Sequence, residues 1–158
     1  GPVVFLATPG SGGGWSRIPA LEEFGQVEYR TFAGATNLIS REDAVLGELT
    51  AMVEDVLARH PGSRVYLVGQ SFGGRAWVHW LTALGRAVPA RVAGAILFSY
   101  PLCHPKQQRE KRLAQVKGVP MLFISGTRDL DFMGDPSFTL LRKTLKSMSA
   151  PGAIIALE

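Results

Sequence analysis

The sequence predicts an α/β protein: a three-layer α/β/α sandwich around a mostly parallel sheet of about six strands in the order 2-1-3-4-5-6. Three observations lead there. Short apolar runs alternate with stretches of helical periodicity along the whole chain. No linker, repeat or low-complexity segment breaks that alternation, so the 158 residues read as one domain. At 65–81, VYLVGQSFGGRAWVHWL, a buried strand turns through a glycine-rich corner straight into a helix. Right-handed crossovers and a switch point beside the first strand then give the order above.

Taken in order, VVFLA at 3–7 suits a strand buried on both faces. The stretch TPGSGGGW at 8–15 is too rich in glycine for regular structure. A short helix follows at 16–24, with Ser16 as N-cap and Pro19 in its first turn. Residues 26–32 alternate Val27 and Tyr29 against polar partners, which marks a strand nearer the sheet edge. Ser40 followed by Asp43 signals a helix start, and Val45, Leu49, Met52, Val53 and Val56 share one helical face. His60-Pro61-Gly62 stops that helix. After the glycine corner, Ala76, Trp77, Trp80, Leu81 and Leu84 make a buried stripe, and Gly85 ends it. A strand at 91–99, a basic helix at 106–116, a strand at 119–124, a helix at 138–148 and a buried closing strand at 152–157 complete the chain. The segment between Ser99 and Val119 has room for one helix and no lid. The domain is expected to be truncated at or just after its last strand.

The bulk numbers exclude several classes. The hydrophobic content of 46% is ordinary for a globular chain, and no apolar run reaches the roughly 18 residues of a membrane span. Cys103 is the only cysteine, which points to a reducing compartment, the cytoplasm first. The net charge of +4 arises from Lys106, Arg109, Lys111, Arg112 and Lys117 and from Arg142, Lys143 and Lys146. No aromatic residues interleave these cations, so they read as solvated helix faces rather than a nucleic-acid surface. No cofactor is implied. The third glycine of a dinucleotide fingerprint begun at Gly10 and Gly12 falls on Trp15. Arg75 and Ala76 stand where a phosphate-binding loop needs lysine and serine or threonine. Cys103 and His104 are adjacent without a partner cluster and make no zinc site.

The chemistry centres on Gly69-Gln70-Ser71-Phe72-Gly73, a G-x-S-x-G pattern between strand and helix. A serine on such a corner projects its hydroxyl from the sheet edge as a nucleophile. The Phe72 amide and one from Gly10 or Ser11 would bind the oxyanion, although 8–15 can also be a plain structural loop. Serine needs a base, and the base a carboxylate to orient it. Asp129, in SGTRD at 125–129, is the acid expected at the same sheet edge, with Asp131 as the second choice. Of the three histidines, His60 precedes the nucleophile strand and His79 lies two turns along the following helix, so neither reaches Ser71. His104 lies at the correct edge but precedes Asp129, against the usual Ser, acid, His order, and reads better as a turn histidine. Either the base lies beyond residue 158, or the protein has no triad.

GQSFGGR at 69–75, FSYPLCHP at 98–105 and FISGTRD at 123–129 together resemble the small, lidless α/β-hydrolases related to dienelactone hydrolases. More narrowly, they are similar to the branch containing testis-expressed protein 30 and the hydrolase-like subunit of a nuclear histone-acetyltransferase complex. The resemblance spans about residues 64–130. It implies Ser71 as nucleophile, Asp129 as acid, a histidine after the final strand as base, and a small-molecule ester or acyl substrate. It also makes the nucleus a second compartment to consider. The expected function is a serine hydrolase of the esterase or thioesterase type. The alternative is an inactive hydrolase-fold module that binds a protein partner.

Overall fold

The computed structural model describes residues 1–126 and 138–157. Six parallel strands form one sheet in the order β2-β1-β3-β4-β5-β6: Gln26–Tyr29, Val3–Thr8, Arg64–Gln70, Val92–Phe98, Met121–Gly126 and Gly152–Leu157. Parallel neighbours need crossovers. The helices among the described residues are α1 (Pro19–Glu22), α2 (Glu42–Arg59), α3 (Phe72–Leu84), α4 (Arg109–Leu113) and α5 (Thr139–Ser147). The expected fold class and strand order are therefore present.

The helices divide unequally between the two faces. Val4, Leu6, Val65, Leu67, Ala95, Leu97, Met121 and Phe123 point to one side, where they share a core with buried residues of α2, α3, α4 and α5. The Trp77 and Trp80 rings meet edge-on there, their centroids 5.6 Å apart, and both N–H groups find acceptors. The opposite face carries Phe5, Ala7 and Val68, covered among the described residues by the segment around α1 through Trp15, Ile18 and Leu21. Further along that face, Phe5, Phe24, Tyr66, Ile96, Leu122 and Ala153 line an apolar concavity of about 530 Å³.

Several local expectations are corrected. The start of α2 is organised by Asn37, whose Oδ1 accepts from the amides of Ile39 and Ser40, while Arg41 holds the cap position expected of Ser40. The cap of α1 is Ile18 rather than Ser16, and no side chain caps it. The basic helix at 106–116 contracts to Arg109–Leu113, because Cys103 and Gln108 pair as an antiparallel bridge before it. The closing strand β6 is not buried. Ile155 and Leu157 are 45% and 53% exposed, because β5 is its strand neighbour and Ile154 alone turns into the core.

The charge network lies across β2 and α2, away from the glycine corner. Glu28 receives Arg30 (2.9 Å), Arg59 and His60 (3.2 Å), and Asp55 receives both arginines. These hydrogen bonds, chiefly from Arg59, hold the Glu28 carboxyl well below its usual range, at about 2 against 4.5. A carboxyl depressed on folding adds stability that is fully present above its unfolded value and is lost as pH falls through the folded one. Glu28→Gln is therefore expected to cost about 1 kcal/mol at pH 7, after allowance for solvent screening. Urea midpoints measured between pH 6 and pH 2 should show the wild-type advantage shrinking steadily as the pH falls towards the folded value.

Candidate active site

The corner between β3 and α3 is built by backbone contacts that exclude side chains. A Cβ placed on Gly69 would lie 2.4 Å from the Gly74 nitrogen, and one on Gly73 would lie 2.4 Å from the Thr8 carbonyl oxygen. Both glycines of the G-x-S-x-G pattern are thus required by close packing, one within the corner and one against the end of β1. Between them Ser71 adopts φ 49° and ψ −112°, a conformation that costs a non-glycine residue on the order of 1–3 kcal/mol. Its amide donates to Phe98 (2.9 Å), and its carbonyl accepts from Gly74 (3.1 Å) and Arg75 (3.2 Å), so both neighbours fix the strained turn.

The structure brings the expected oxyanion residues to Ser71. A Cβ on Gly10 would stand 3.8 Å from Ser71 Cβ, and Ser11 lines the same concavity of about 360 Å³ as Ser71 and Phe72. Gly10 is held in a turn by the Gly13 amide, which donates to its carbonyl at 3.0 Å. The Phe72 ring packs edge-on against Phe32 at 5.5 Å, leaving its backbone at the start of α3. Among the described residues no hydrogen bond takes up the amides of Gly10, Ser11 or Phe72. Helix α3 also directs its positive end here.

Asp129 and Asp131 lie outside the described residues; β5 runs up to Gly126, at the same edge of the sheet as Ser71. His60 and His79 are engaged by Glu28 and by Glu42, each at 3.2 Å. His104 does line the concavity beside Ser71. Its Nδ1, however, accepts the Lys106 amide at 3.1 Å, so the neutral ring carries its proton on Nε2. Desolvation, then Arg109, Arg75 and Lys106, push its pKa below the usual histidine range and keep it neutral. With that bond in place neither ring nitrogen offers a lone pair to Ser71.

Sequence reasoning missed Arg75 and Arg109, which share the Ser71 concavity. Arg109 was expected on a solvated helix face and is half-buried instead. A signal for Arg75 existed, because a residue four positions beyond Ser71 lies one helical turn above it.

The glycine contacts give a direct test. Gly73→Ala forces a methyl group into the Thr8 and Pro9 carbonyls, and is expected to cost about 1–3 kcal/mol in urea unfolding. Gly12→Ala, whose Cβ would meet nothing within 4 Å, should change stability far less.

Comparison with solved structures bears on this geometry. A serine hydrolase homologue from Coxiella burnetii superposes with a TM-score of 0.71 at 17% identity, over 99% of this chain and 74% of that one. A lidless α/β serine hydrolase from Xanthomonas campestris gives 0.70 at 20% identity, over 99% and 71%. Acylaminoacyl peptidase from Pyrococcus horikoshii gives 0.66 at 13% identity over 99% of this chain, which spans only 32% of the peptidase. At these identities the likeness is one of fold. Residues 23–145 match the family model described as the alpha/beta hydrolase domain, and the chain belongs to that family.

Proposed function

We propose that the protein is a serine hydrolase acting on an ester or thioester. The observation that carries this is Ser71, held at positive φ beside the amides of Gly10, Ser11 and Phe72, which bond to nothing among the described residues. Ser71 Oγ attacks the acyl carbonyl while a histidine takes its proton, and the amides hold the oxyanion that forms. Collapse breaks the bond to the leaving oxygen or sulfur, which receives the proton from the histidine. Water then repeats the sequence on the acyl-enzyme and releases the acid. Asp129 is the proposed orienting acid, and the proposed base is a histidine beyond residue 158. The fold likeness to lidless serine hydrolases supports a small-molecule substrate. The narrower kinship proposed is with the branch that contains testis-expressed protein 30. The single cysteine favours the cytoplasm as compartment, with the nucleus second.

A second reading, an inactive hydrolase-fold module that binds a protein partner, draws on two observations. Each described histidine is engaged in a hydrogen bond away from Ser71, and one face of the sheet carries an apolar concavity. Intact mass after treatment of the full-length protein with a fluorophosphonate separates the two. The hydrolase reading expects one adduct, absent from Ser71→Ala, and a fall of about 10³–10⁴-fold in ester turnover for Asp129→Asn. No adduct on the full-length protein leaves the interaction module.

A further inference from the structure

Among the described residues five arginines are half-buried: Arg30, Arg75, Arg91, Arg109 and Arg112. Arg30 pairs with Glu28 and Asp55, and Arg112 faces Glu42 at 3.9 Å. Arg91 donates through three nitrogens to the carbonyls of Ser63, Leu57 and His60. Arg75 and Arg109 differ. Among the described residues neither meets a carboxylate. Arg109 donates to Gln107 Oε1 (2.9 Å) and the Pro101 carbonyl (2.7 Å), while Arg75 has one long contact, to the same Gln107 oxygen at 3.5 Å. Among the described residues no buried side-chain nitrogen is left without a partner, so the remaining guanidinium donors of Arg75 and Arg109 are open to solvent beside the concavity they line.

Two like charges that share one amide oxygen, with no counter-ion among the described residues, are costly to bring together. The cost is visible on Arg75, whose pKa is lowered by burial first and by Arg109 second. Arg109 is lowered by burial as well. His104, on the same concavity, is also disfavoured as a cation by both arginines and Lys106. The wall around Ser71 is therefore a positive field with unused, fork-shaped donors, which suits an anionic oxygen group.

From this we infer that Arg75 and Arg109 form an anion subsite, and that the substrate of Ser71 carries a carboxylate or phosphate beside its scissile acyl bond. The inference rests on the hydrolase reading for its second half only. Arg75 follows Ser71 by one helical turn, and both line one small concavity, so the anion sits close to the reacting carbonyl. That spacing favours short half-esters, or acyl groups ending in an anion, over long neutral chains.

The test uses full-length protein and two p-nitrophenyl esters of similar size, the neutral butyrate and the anionic hemisuccinate. The wild type is expected to show a higher kcat/KM on the hemisuccinate, declining with added salt. Arg75→Gln and Arg109→Gln should each lower hemisuccinate turnover about 10–100-fold more than butyrate turnover, with Arg75→Lys recovering part of the loss. Thermal shift with succinate and with inorganic phosphate reads the subsite without catalysis. A melting-temperature rise lost in Arg75→Gln supports the subsite even if no ester is turned over, and the more effective ion identifies its chemistry. Equal loss on both esters, or butyrate turnover with no ion-dependent shift, overturns the subsite and leaves the hydrolase standing.

Discussion

Parallel pairing along the whole sheet is the constraint from which the rest of the molecule follows. Each strand must begin at the same edge, so each connection has to cross back over a face, and all strand ends open along one rim. The rim collects what the connections leave there. The glycine loop after β1, the corner after β3, the turn after β4 and the end of β5 are neighbours through topology, although they span more than a hundred residues of sequence. Strand β3 sits in the middle of this arrangement, and Val65, Leu67 and Val68 are fully buried. Its rigidity is what allows one serine beyond its end to be held in a strained conformation.

Charge is distributed on a different plan at the two ends of the fold. Around β2 and α2, carboxylates and guanidinium groups cancel locally in a mutually bonded cluster. Around Ser71 the cations Arg75 and Arg109 have no such compensation among the described residues. A net charge of +4 conceals this difference, because it averages over both regions. The neutralised cluster contributes to stability, whereas an uncompensated pair is tolerated at the expense of stability.

Much of the fold was legible because burial imposes periodicity on the residues themselves. The core stripe of α2 and that of α3 appear at their expected positions, and the strand order follows from the rules of handed crossover. What escaped the sequence depends on partners, which periodicity does not encode. The run GAIIAL looks like a buried strand, yet its exposure is decided by what packs on it. Ser16 and Ser40 are good caps by residue type, but Ile18 and Arg41 hold the cap positions, the latter after a turn bonded by Asn37. Within the site, the glycines and Ser71 were readable because the pattern has a steric cause. Arg109 was not, because its approach to Ser71 depends on a short bridge between Cys103 and Gln108 that shortens the following helix.

The contact between Gly73 and the end of β1 has a consequence for the order of folding. Thr8 donates its hydroxyl to the Gly73 carbonyl across a sequence separation of 65 residues, and the two backbones touch at the same point. A loop of that length has to close before the contact can form, and closure on this scale is the slow step of a topology with few local contacts. The turn that presents Ser71 is thus assembled together with the pairing of β1 and β3, not ahead of it. A chain synthesised through the whole G-x-S-x-G segment still lacks this contact until β1 has docked, so the conformation of Ser71 depends on a strand that meets Gly73 across 65 residues of sequence.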